Sequence, residues 1–273
     1  MNSISERVEL LGKGLYAGIP DVLTLKSIPT ASELDYVGSE DFDKTMLEKI
    51  LPQAVEERIN FYDLLEIDYQ YICRCLRMLN YGPYLTVSNI FCDKCGKVSS
   101  GEYRVNLNTI NCIPLPEGFT NELTVKTSEF IEYDKDIKIK LLTIKEILTA
   151  YADPLFKQGN GEINRELARL CYSIKAIGNR TGFTPLEVKN IITHDLCAAD
   201  FLLLKDAVSE LTNYGLRAGG TTQCPNCKSM NATFIALADD RFFRPTVGDL
   251  KQWKLDRSSR SDENNAGSKT KTV

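Results

Sequence analysis

The sequence predicts an α+β fold: a mostly helical body that carries two zinc-knuckle β-hairpins. Three observations lead there. Cys92-Asp93-Lys94-Cys95 and Cys224-Pro225-Asn226-Cys227 each leave a two-residue gap between cysteines, and alternating apolar residues flank each pair. Each pair follows a helical stretch that ends in Asn-Tyr-Gly, at Asn80-Tyr81-Gly82 and at Asn213-Tyr214-Gly215. The chain has 273 residues, of which 43% are apolar, enough for one large domain or two ordinary ones around a packed core.

Five segments follow from the pattern: an arm and short helix (1–42), a helical unit with the first knuckle (43–108), a β-rich insertion and helix (109–158), a helical unit with the second knuckle (159–256), and a flexible tail (257–273). In the arm, Gly12, Gly14, Gly18 and Pro20 precede Val22 to Leu25, which reads as an irregular adapter with a short hairpin. Thr30-Ala31-Ser32-Glu33 has capping-box spacing and starts a short helix. From Asp43 a helical period runs through Met46, Leu47, Ile50 and Leu51 to Pro52 and resumes through Val55 and Ile59. A further helix follows Asp63 to Glu66, with Tyr69, Ile72, Leu76 and Leu79 on one stripe, and stops at Gly82.

The period then changes to that of strands: Tyr84 to Phe91, the first knuckle, and a return through Tyr103, Val105 and Leu107. More strands surround Pro114 and Pro116 and end at Ile137 to Leu141, before a capping box at Thr143 to Glu146 opens a helix. Helices are expected from Ile163 to Ile177, from Thr184-Pro185-Leu186-Glu187 onward, and over roughly Leu196 to Asn213. The second knuckle precedes a strand over Ala232 to Leu237. Removing 257–273, which has little apolar surface, is expected to leave the melting temperature nearly unchanged.

The two knuckle regions match in order as well as in spacing. Nine residues separate Gly82 from Cys92 and eight separate Gly215 from Cys224. Leu142 to Ile147 is echoed by Pro245 to Leu250, so two diverged copies of one unit are expected, the first with an insertion after its knuckle. One cysteine pair supplies half of a tetrahedral shell, and two pairs complete it. Cys92, Cys95, Cys224 and Cys227 are therefore expected to hold one structural Zn²⁺ with no open position. Thiol redox chemistry is the competing reading, but Lys228 to Leu237 reads as strand rather than as the helix that activates such thiols.

Cys73 and Cys75 flank Arg74 on a helix, about 200° apart, and read as core residues. Cys112, Cys171 and Cys197 read as small buried hydrophobes, and His194 beside Asp195 as a capping or hydrogen-bonding residue. Lys94, Lys97 and Lys228 would offset the charge of a zinc tetrathiolate, and Arg74 and Arg77 read as a solvated edge. A single His and no nucleophile setting argue against an enzyme. A net charge of −4 gives no global basic field for nucleic acid or anionic membrane. No apolar run approaches the roughly 18 residues of a membrane span, and the first residues lack a secretion signal, so a cytosolic protein is expected.

Gly12-Lys13-Gly14-Leu15-Tyr16, Leu65-Glu66-Ile67-Asp68, Cys75 to Gly82, Cys92 to Gly96 and Arg244 to Asp249 occur in one order. This series resembles the T4-like bacteriophage baseplate protein family, which includes hub subunits of contractile tails. Asp93 stands where that family has Pro in the knuckle. The resemblance implies a virion or assembly protein, present in the host cytoplasm and the tail baseplate, whose partners are other baseplate or hub subunits, with a homo-oligomer as a further option. Nucleic acid is not an implied partner, although a zinc-ribbon nucleic-acid-binding regulator is the rival class. Partner contacts are expected on the arm before about residue 30 and on the insertion between about 97 and 142, so deleting the arm is expected to leave metal and fold intact.

Overall fold

A computed structural model describes residues 4–29, 39, 41–87, 90–99, 103–125, 135–216, 219–224, 226–234, 243 and 246–255, and the statements below concern these. The arm opens with an antiparallel hairpin of β1 (Ser5–Glu9) and β2 (Val22–Lys26), Glu9 lying opposite Val22. It is not the free adapter expected. Val8, Leu10, Leu23, Leu25 and Ile28 are at most 8% exposed and belong to the first of two core clusters. A hairpin with one apolar face gains stability only when that face is covered, and the helices beside it do the covering. The helix start expected at Thr30 to Glu33 lies outside the described residues.

Helix α1 begins at Phe42–Thr45, passes through a π turn at Met46–Ile50 and ends at Leu51–Ala54. Asp41 caps it, accepting from the Lys44 N–H at 3.0 Å. The helix does not resume at Val55 as its period suggests. Val55 is extended (φ −111, ψ 134) and bridges to Leu25, so pairing with the arm overrides helical spacing.

Helix α2 (Glu66–Tyr81) joins the two cores. Tyr69, Ile72, Cys73 and Leu76 face the first, while Leu65 and Ile67 at its start enter the second. The helix stops at Gly82 (φ 79), whose N–H donates to Met78 O at 2.9 Å. Arg74 and Arg77 do not form a solvated edge. Arg77 is fully buried and donates to Gly82 O at 2.9 Å and Tyr84 O at 2.8 Å, and Arg74 donates to Leu107 O at 2.9 Å. A guanidinium at a helix C-terminus meets carbonyls that have no helical partner, so Arg77 sets the direction in which the chain leaves.

That exit leads into a hairpin: β3 (Tyr84–Val87) pairs with β6 (Tyr103–Asn106), and β4 (Ile90–Phe91) with β5 (Val98–Ser99), all antiparallel. Next come β7 (Cys112–Ile113), β8 (Leu123–Val125) and β9 (Ile137–Ile139). The capping box at Thr143 and Glu146 opens α3 (Ile144–Ala152), with both reciprocal bonds made. Helix α4 (Arg165–Ser173) ends four residues before the sequence suggests, because Ile174–Ile177 forms β10 against β9. Ile-Lys-Ala-Ile fits either period, and the unpaired edge of β9 decides between them. With β11 (Arg180–Thr181) the sheet order is β11-β10-β9-β8. Helix α5 (Pro185–His194) carries the expected Thr184–Glu187 box with Pro in its first turn, and α6 (Ala198–Thr212) follows. Helices α3 to α6 and β9 enclose the second core.

After α6, β12 (Gly215–Leu216) pairs back on β7, and β13 (Gly219–Gln223) pairs with β14 (Met230–Phe234). The expected strand thus starts at Met230, and its stretch beyond Phe234 lies outside the described residues, as does the tail. A last helix, α7 (247–255), starts from a Thr246–Asp249 box. Asp249 is fully buried and also accepts from the Thr86 hydroxyl at 2.7 Å, which docks α7 on β3. Trp253 lies so close to Gly82 that an added Cβ there would sit 2.4 Å from the indole.

One buried carboxylate ties the arm to α2. Asp68 accepts from Leu11 N–H at 2.6 Å, from Gly12 N–H at 3.1 Å and from the Tyr16 hydroxyl. Asp68→Ala would leave these three donors, one buried and two partly buried, without their acceptor and is expected to cost about 3 kcal/mol in urea unfolding. A cost below about 1 kcal/mol would mean that the latch contributes little.

Candidate metal centre

The two knuckles share a backbone as well as a motif. Cys92 N–H donates to Lys97 O at 3.0 Å and Gly96 N–H to Cys92 O at 2.8 Å; in the second knuckle Cys224 N–H donates to Ser229 O at 2.8 Å and Lys228 N–H to Cys224 O at 2.9 Å. The residue after the second cysteine is left-handed in both, Gly96 at φ 66 and Lys228 at φ 61. Glycine adopts that conformation freely, whereas a lysine pays about 1 kcal/mol for it. Lys228→Gly is therefore expected to raise stability by up to about 1 kcal/mol in thermal melts with metal content unchanged. Destabilisation would contradict the shared turn.

Hairpins from distant parts of the chain bring the four predicted cysteines together. The sulfurs of Cys92, Cys95, Cys224 and Cys227 all lie within 4.8 Å of one another. Across the two knuckles, Cys92 Sγ is 3.6 Å from Cys227 Sγ and Cys95 Sγ is 3.8 Å from Cys224 Sγ. A tetrahedral ion with metal–sulfur bonds of about 2.3 Å requires sulfur–sulfur edges of about 3.8 Å. The donor set therefore fits one thiophilic tetrahedral ion and fills its shell with protein ligands. It is the one metal-ligand group of three or more His, Cys, Asp or Glu among the described residues.

Cys92 and Cys224 are buried, Cys95 is half-buried and Cys227 is exposed. Ser229, which sequence reading did not single out, places Oγ 2.9 Å from Cys227 Sγ and 3.5 Å from Cys92 Sγ. Its hydroxyl, with the amides of Cys95 and Lys94, holds the Cys92 thiol down to about 5, and it also lowers Cys227. The Lys97 amide favours the Cys95 thiolate, but desolvation and the other three sulfurs outweigh it and push Cys95 up to about 11. Four thiolates this close cannot all ionise without a cation between them.

The remaining candidates lie elsewhere. Cys73, Cys75 and Cys171 are core residues, and burial pushes Cys75 and Cys171 up to about 12, which keeps them as thiols. Cys112 lies half-buried in β7. Cys197 is not simply a buried hydrophobe: it caps α6, its Sγ accepting from the Asp200 N–H at 3.5 Å. His194 is the exposed last residue of α5, and Lys94, Lys97 and Lys228 are exposed beside the centre. Among the described residues no helix is long and apolar enough to cross a membrane. Fold and site together define an α+β protein with a four-cysteine cluster that could hold a metal ion. No known protein family, curated protein or solved structure matches the chain.

Proposed function

We propose that this chain is a non-enzymatic structural or assembly component of a contractile-tail baseplate, at or near its hub, stapled by one Zn²⁺ on Cys92, Cys95, Cys224 and Cys227. The observation that carries the structural role is the sulfur cluster itself: four protein donors leave a zinc ion no open position for water or substrate. The phage assignment rests on the resemblance of the ordered motifs.

The staple joins two diverged copies of one helix–hairpin unit. In support, α2 and α6 each carry a fully buried Asp in the first turn, Asp68 and Asp200. Each helix leads to a left-handed glycine, Gly82 at φ 79 and Gly215 at φ 88, and then to a knuckle with the same hydrogen bonds. At both glycines another element crosses the backbone, Trp253 at Gly82 and Ile67 at Gly215, where a Cβ would come within 2.9 Å.

The test is co-purification of the tagged chain from phage-infected cells, with companions identified by mass spectrometry. Baseplate or hub subunits are expected, and their consistent absence would remove the assignment. The exposed Lys94, Lys97 and Lys228 favour a second reading, a zinc-ribbon nucleic-acid-binding regulator. It requires DNA or RNA binding that weakens steeply with salt, which a titration detects.

A further inference from the structure

We infer that a groove beside α6 is a docking site for an extended, uncharged segment of a partner protein, which takes in the second unit the place that the arm takes in the first. The inference rests on the two-copy and assembly readings above and names what the second copy binds. Counted back from the two Asn-Tyr-Gly stops, Asp68, Ile72, Cys75, Leu76, Leu79 and Asn80 of α2 correspond to Phe201, Lys205, Val208, Ser209, Thr212 and Asn213 at α6. Steps of three and four residues put each set on one stripe of its helix. The arm covers the first stripe. Asp68 accepts from the Leu11 and Gly12 amides at one end, and Asn80 Oδ1 accepts from the Ile28 N–H at 2.7 Å at the other. Between them Ile72, Cys75 and Leu76 share a core cluster with Val8, Leu10, Leu23 and Leu25.

All six residues of the second stripe instead line an open groove of about 470 Å³, a volume in the range of binding sites. Ile67 of α2, Leu170 of α4 and Leu216 of β12 add apolar surface to Phe201 and Val208. Asn213, the counterpart of Asn80, is exposed, and its side chain makes no hydrogen bond among the described residues. The acceptor that holds the arm in the first unit is therefore available in the second. The second stripe is also more polar, with Lys205, Ser209 and Thr212 where the first has Ile72, Leu76 and Leu79. A face covered permanently can be wholly apolar, whereas one that meets water until a partner arrives must be wettable. The occupant is thus a separate chain. Charge does not select it, because the ionic groups of the groove are already matched: Arg169 forks onto Glu66, and Lys205 pairs with Glu166 at 2.7 Å. What remains to be met is apolar surface and the Asn213 amide, which alternating apolar side chains and a backbone N–H satisfy.

The test uses the full zinc-loaded chain and short, end-capped fluorescent peptides: one alternating Leu and Thr, its N-methylated form, one of Thr alone and one alternating Leu and Glu. The Leu/Thr peptide is expected to bind at least about tenfold more tightly than each of the others, which lack the backbone donors, the apolar side chains or the neutrality. Ser209→Trp fills the groove from an exposed position and should lower that affinity about tenfold or more with the melting temperature unchanged, while Ser209→Ala should retain it. Asn213→Ala removes one acceptor and should lower it about fivefold. Failure of the wild type to bind the Leu/Thr peptide, as occupation by the chain's own residues would cause, would overturn the inference. Equal binding of the N-methylated, all-Thr or Leu/Glu peptide, or unchanged affinity in Ser209→Trp, would overturn it too. Co-purification of Ser209→Trp with hub subunits at wild-type yield would discard the groove and leave the assembly reading standing. Peptide binding by a wild type that recovers no such subunits would do the reverse.

Discussion

Cys92→Ser and Cys224→Ser are each expected to abolish stoichiometric metal binding and to unfold both knuckle hairpins, not only the one that carries the substitution. The reason is the shared shell. Each change leaves three sulfurs around one ion, with the knuckles contacting across it at 3.6 and 3.8 Å. Structural zinc contributes roughly 10–16 kcal/mol of apparent binding free energy in small domains, which is comparable with the whole stability of a fold. Chelation of the wild type should reproduce the effect, and acidification should release the ion, because protons compete for the thiolates as pH falls. Metal analysis with proteolysis of the two hairpins checks this, and a variant that loses protection at one hairpin alone would show that the knuckles are separate.

Deleting residues 1–29 should prevent stable folding of the first core, the reverse of what an adapter arm would do. Five arm side chains are buried there, Val8, Leu10, Leu23, Leu25 and Ile28, and the Asp68 latch is lost with them. Burial of one such side chain is worth about 1.5–3 kcal/mol, so five approach the 5–15 kcal/mol margin of a typical domain. Circular dichroism and urea unfolding of the shortened chain decide the matter. A native spectrum with an unchanged midpoint would restore the arm as an independent docking element.

What could be read from the sequence was chemistry that acts locally. The Thr143–Glu146 and Thr184–Glu187 boxes and the Gly82 stop each settle a helix end with residues a few positions apart, and the structure forms all three. The cysteine cluster was legible because two-residue spacing is itself a geometric requirement, and two half-shells invite each other. What escaped reading depends on distant partners. Arg77 and Asp68 look like ordinary solvated helix charges until the carbonyls after Gly82 and the amides of Leu11 and Gly12 are in place. Ile174 to Ile177 became strand because β9 lay alongside, and Val55 became extended because β2 did. Lys228 left a signal that could have been used: alignment of the two knuckles sets it on Gly96, and a left-handed residue follows.

The most direct test of the shared centre is metal analysis combined with X-ray absorption on protein expressed with ample zinc. One zinc per chain, surrounded by four sulfurs at about 2.3 Å, is the expected result. Two ions per chain, a shell containing nitrogen or oxygen, or no bound metal would contradict a single closed site formed by Cys92, Cys95, Cys224 and Cys227.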